Sequence, residues 1–95
     1  MLNRSLTHPD AISFRLRSTR IAMGLNQTEL CRLTGIATNT WNQYEKQAKR
    51  PELDKALLMC EKLGWTLDWI YRGDPSGLPL RITEKMQPLR AANGR

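Results

Sequence analysis

The 95-residue chain has one histidine, two cysteines and one phenylalanine, and only nine acidic residues against fifteen basic ones. Each shortage excludes something. The sole histidine, His8, lies beside Pro9 near the amino terminus and is given no chemical role. Cys31 and Cys60 stand alone in helical patterns, with no CxxC spacing and no second histidine to complete a metal site. They read as two buried thiols in a reducing cytoplasm. No paired carboxylates, nucleophile–base set or phosphate-cradling loop is present, so neither an enzyme nor a bound cofactor is expected. No apolar run approaches the roughly 20 residues that span a bilayer. The opening MLNRSLTHPD lacks the apolar core of a secretory signal, which leaves a cytoplasmic protein as the expectation.

What remains is a chain for one domain, with a hydrophobic fraction of 40% and a charged fraction of 25%. The net charge of +6 attracts an anionic partner, and nucleic acid and acidic membrane surfaces both fit that description. A basic excess that serves solubility alone fits it too.

Helix punctuation recurs along the chain. Thr7-His-Pro-Asp10 places a capping residue three positions before an acid, with a proline allowed in the first turn. Ile12, Leu16, Thr19 and Met23 then follow at helical spacing, up to Gly24. Asn26-Gln-Thr-Glu29 is a second capping signature, opening a short helix that Gly35 ends. Leu53, Ala56, Leu57, Cys60 and Leu63 form an amphipathic stripe ended by Gly64, and Thr66 can cap a last short helix over residues 66–71. The expectation is an all-α fold of five short helices. From Asp74 the prolines and glycine of PSGLPLRITEKMQPLRAANGR interrupt the pattern. Residues 1–73 are therefore expected to form the domain and 74–95 a basic tail, helical for at most one turn around residues 83–86.

The second and third helices, residues 27–34 and 38–47, are joined by a turn at 35–37, which is a helix-turn-helix arrangement. Gly35 suits a turn that needs a positive φ, and Ile36 is placed to drop into the core. Projected at 3.6 residues per turn, Ala37, Trp41, Tyr44 and Ala48 share one face of the third helix. Thr38, Asn39, Asn42, Gln43 and Lys46 share the other. Neutral amides and hydroxyls match the paired donors and acceptors of base edges, whereas a carboxylate would be repelled by phosphate. Taken alone, the row fits a merely polar solvent face equally well.

The stretch RLRSTRIAMGLNQTELCRLTGIATNTWNQYEK, followed by KRP and CEKLGWTLDWIYRGD, resembles the helix-turn-helix domain of lambdoid phage repressors and Cro, the XRE family. The resemblance covers roughly residues 15–74. It implies sequence-specific binding to double-stranded DNA by a regulator, expected to be a repressor. Its base-reading positions fall on Thr38, Asn39 and Gln43, with Asn42 as a neighbour, and its phosphate-binding positions on Asn26, Gln27, Lys46, Lys49 and Arg50. Arg20 and Glu45 match a pair that ties the first helix to the end of the third. Two departures stand out: Trp41 replaces an aliphatic core residue, and Lys46-Gln47 replaces Asn-Gly at the helix exit. The family dimerises after its fourth helix, which implies a homodimer on an inverted repeat with Trp65, Leu67, Trp69, Ile70 and Leu78 at the seam. A place for these residues in the protomer's own core is the competing expectation. A chain of this length has no room for a ligand-sensing second domain. An antitoxin-like module whose tail wraps a protein partner is the alternative to a DNA-binding regulator.

Overall fold

Helix α1 (Pro9–Ala22) starts where His8 adopts an extended backbone and its Nδ1 accepts from the Asp10 N–H at 3.1 Å. The cap is therefore His8 and not Thr7: proline at the first helical position fixes the residue before it as extended. The structure is a computed structural model that describes residues 6–93, with side chains to Met86. Along α1, Ile12, Leu16 and Thr19 are buried, while Phe14 and Ile21 face outward.

Helix α2 (Gln27–Thr34) opens with a reciprocal capping box. Asn26 Oδ1 accepts from the Glu29 N–H at 2.7 Å, and Glu29 Oε1 accepts from the Asn26 N–H at 2.8 Å. It ends at Gly35 with φ 81°, where a Cβ would meet nothing within 4 Å. Backbone conformation, not space, calls for glycine there. Ile36 then turns into the core, 2% exposed, and α3 (Thr38–Lys46) begins after the extended Ala37.

Helix α4 (Leu53–Leu63) buries Ala56, Met59 and Leu63, a stripe rotated from the expected one. Leu53 and Leu57 are exposed, at 58% and 48%. Leu57 lies about 100° around the helix from Ala56, and Leu53 is at the open first turn. Thr66 Oγ1 then accepts from the Trp69 N–H at 3.0 Å and opens a single π-helical turn, Asp68–Arg72, in place of the expected α-helix.

The chain beyond Asp74 departs most from expectation. Residues Leu80–Asn93 form α5, a helix of 14 residues rather than one turn in a loose tail. Pro75 and Pro79 do not forbid this, because both precede the helix and Pro79 supplies a carbonyl to the Ile82 N–H at 2.9 Å, while Pro88 lies inside the helix and removes one backbone N–H from its ladder. Leu78, Ile82 and Met86 recur at four-residue spacing and are buried at 8%, 1% and 5% exposure, with α5 packed on α1. One core runs through all five α-helices of the described residues, with no strand among them.

Candidate nucleic-acid interface

The two-sided character expected of α3 is present. Trp41 and Tyr44 are fully buried, while Thr38 and Asn39 are exposed and Asn42 and Gln43 half-buried at its flank. Ala37 is exposed and precedes the helix, so it does not belong to the inner face. Trp41 packs edge-on to Tyr44 with ring centroids 5.8 Å apart and lies 6.3 Å from Trp65. The inner anchor of α3 is thus an aromatic cluster, and the Tyr44 carbonyl is further held by the Ser13 hydroxyl of α1.

One carboxylate joins the three helices behind this face. Glu45 accepts from Arg20 Nε at 2.7 Å and Nη2 at 3.0 Å, from Gln27 Nε2 at 3.0 Å, and from Trp41 Nε1 at 2.5 Å. Its side chain is 2% exposed. Burial alone would raise its pKa, but hydrogen bonds from Arg20, Gln27 and Trp41, with the Arg20 charge, leave it below the usual carboxylate range. Arg20 also donates through Nη1 to the Leu25 carbonyl at 2.8 Å, fixing the corner between α1 and α2. The expected Arg20–Glu45 pair is present, and the convergence of Gln27 and Trp41 on it was not foreseen. The four-residue interval from Trp41 to Glu45, one helical turn, was the signal available.

The loop from α3 to α4 is pinned on both sides. Tyr44 Oη donates to Glu52 at 2.7 Å, and Tyr71 Oη donates to the Pro51 carbonyl at 2.7 Å. The Tyr44 bond, with the nearby Lys49 charge, holds the exposed Glu52 carboxyl down at about 2. Burial and the Glu52 carboxylate together raise the Tyr44 hydroxyl. The basic residues of this rim remain exposed: Lys46, Lys49 and Arg50. Lys49 Nζ lies 3.4 Å from Gln43 Oε1 and 3.5 Å from Glu52, and Arg50 donates to the Thr7 carbonyl at 3.0 Å. The altered exit of α3 takes an unusual form: Ala48 has φ 51°, a left-handed conformation that glycine would adopt without strain.

Of the expected phosphate contacts, Asn26 has its side-chain oxygen engaged in the capping box and Gln27 has its amide nitrogen turned inward to Glu45. Four of the five residues of the expected dimer seam take the competing place in the chain's own core. Trp65, Trp69, Ile70 and Leu78 are buried within the chain, at 2%, 9%, 0% and 8% exposure. Trp65 Nε1 donates to Met23 Sδ at 3.1 Å and Trp69 Nε1 to Thr19 Oγ1 at 3.0 Å. Side chains already removed from water have no area left to give a partner. Only Leu67 of the five is exposed, at 37%. Trp69 also carries the Arg15 guanidinium 5.6 Å from its ring, and Arg15 donates to the Leu6 carbonyl. Burial lowers the Arg15 pKa. Among the described residues, no group of histidine, cysteine or acidic side chains could hold a metal, and no helix is long and apolar enough to cross a membrane.

A family profile described as helix-turn-helix matches residues 16–70, from the middle of α1 into the π-helical turn. An uncharacterized HTH-type transcriptional regulator of Bacillus subtilis (strain 168), YobD, is 34% identical over 56 residues. That alignment covers 59% of this chain and 50% of the relative, so the chain spans about half the length of the curated protein it matches. No solved structure gives a significant match.

Proposed function

The chain belongs to the helix-turn-helix family, and from that premise we propose that it is a transcriptional regulator that binds double-stranded DNA sequence-specifically. In this reading α3 enters the major groove. The observation that carries it is the outer surface of α3, where Thr38 and Asn39, flanked by Asn42 and Gln43, stand opposite fully buried Trp41 and Tyr44. Amide side chains bond bidentately to adenine, and threonine adds a methyl contact to thymine. The Bacillus relative, described as an HTH-type transcriptional regulator, supports the same class.

Around this face Lys46, Lys49 and Arg50 form the backbone clasp. The net charge of +6 draws the protein to DNA, and the neutral helix face selects among sequences. Helix α3 has nine residues and is about 14 Å long, so it reaches only a few base pairs. Selectivity then calls for a homodimer on an inverted repeat, which represses by occupying its operator.

Selection of bound duplexes from a random pool tests this reading. It should enrich a symmetric motif whose half-sites lie about one helical turn, ~34 Å, apart. A pool that yields no enriched sequence would overturn it.

A further inference from the structure

We propose that Trp41 is a specificity-determining positioning residue: its indole N–H fixes the Glu45 carboxylate, and through it the side-chain amide of Gln27 at the DNA-facing end of α2. The proposal rests on the DNA-binding reading above and adds a residue that touches no DNA. Glu45 is the carrier. An ionised carboxylate accepts about four hydrogen bonds and donates none. Here Oε1 takes Gln27 Nε2 and Arg20 Nη2, both at 3.0 Å, while Oε2 takes Arg20 Nε at 2.7 Å and Trp41 Nε1 at 2.5 Å. With the side chain 2% exposed, water cannot replace a lost donor without opening the junction.

This saturation dictates how Gln27 is turned. A carboxylate repels a carbonyl oxygen, so the amide must direct its nitrogen inward. Its carbonyl oxygen and second N–H are left for an outside partner. That is a fixed donor–acceptor pair, the same chemistry that suits an adenine edge or another amide. Without the tether, the amide could rotate and offer either order.

Trp41 sets the carboxylate from within α3. Arg20 reaches Glu45 from α1 on a long side chain, whereas Trp41 lies one turn before Glu45 on the same helix. The indole therefore locks the carboxylate to the frame of the reading helix itself. Replacing it with phenylalanine keeps an aromatic ring against Tyr44 and Trp65 but deletes the N–H. Oε2 then loses a donor, the carboxylate turns to recover one, and the amide that shares Oε1 turns with it.

The test compares wild type, Trp41→Phe, Gln27→Ala and the double variant on the selected operator and on random duplex. Trp41→Phe should lower the operator-to-random affinity ratio on the order of tenfold, with a far smaller change on random DNA. The double variant should discriminate no worse than Gln27→Ala alone. Additive losses, or equal losses on operator and random DNA, would overturn the proposal. A wild type that binds no duplex selectively would instead refute the DNA-binding reading. A second readout needs neither DNA nor a variant: the nitrogen-15 NMR signals of the Trp41 indole and the Gln27 amide are followed against pH. Both should move with one midpoint, below the usual carboxylate range. Separate midpoints, or signals that stay still, would overturn the shared-carboxylate link.

Discussion

Two residues carry more of the energetics than their positions suggest. Ala48 holds φ 51° at the exit of α3, where a side chain costs about 1–2 kcal/mol relative to an unstrained backbone. Ala48→Gly is expected to raise unfolding free energy by about 0.5–1 kcal/mol in urea titration, because relief of strain exceeds the added freedom of the unfolded chain. A destabilised variant would show that the turn is not strained. Glu45 is the opposite case, a buried charge fully supplied with partners. Its folded pKa lies below the ordinary value, so the folded state binds its proton more weakly than the unfolded state does. The stability it contributes is present above about pH 4.3 and is lost as pH falls through the lowered folded value. Glu45→Gln should therefore flatten the loss of stability on acidification. At neutral pH it should cost about 3–5 kcal/mol, since it leaves Arg20 buried without a counter-charge. An unchanged acid profile in thermal melts would show that Glu45 does not titrate in this way.

At the scale of elements, punctuation was legible and rotation was not. The Asn26–Glu29 box, Gly35 and the apolar pairing of Trp41 with Tyr44 could all be read because each rests on local geometry. The face that α4 buries could not be read in the same way. Leu53 and Leu57 belong to a plausible stripe, and only the packing of neighbouring helices selects Ala56, Met59 and Leu63 instead. Helix α5 was missed for a related reason. Its prolines read as breakers, while the burial of Leu78, Ile82 and Met86 depends on α1 lying alongside. The same long-range packing puts Trp65, Trp69 and Ile70 in the core. At the candidate site the outward residues of α3 followed from periodicity. The Glu45 junction did not, because it joins residues from three helices. If α5 is integral to the core, Ile82→Ala should lower unfolding free energy by about 2–5 kcal/mol in chemical denaturation. A loss below about 0.5 kcal/mol, the range of surface substitutions, would return this segment to the status of a tail.

At the scale of the whole molecule, the chain measures 34 × 27 × 21 Å and presents one nine-residue helix, α3, for the proposed reading of bases. In the proposed function, reading two half-sites about 34 Å apart therefore takes two copies of the chain. Sedimentation on a palindromic duplex should find two protomers per DNA, and a single protomer there would remove the dimer from the proposal. In the proposed function the basic charge and the exposed Lys49 act on any sequence, so Lys49→Ala should weaken operator and random duplex alike and reduce the salt slope by about one unit. The central claim is that the neutral face of α3 reads bases, and it is tested most directly by measuring Asn39→Ala and Gln43→Ala on both DNAs at one salt concentration. Each substitution should cost about 1–3 kcal/mol per half-site on the operator, little on random DNA, and flatten preference at particular base pairs. Equal losses on the two DNAs would contradict it.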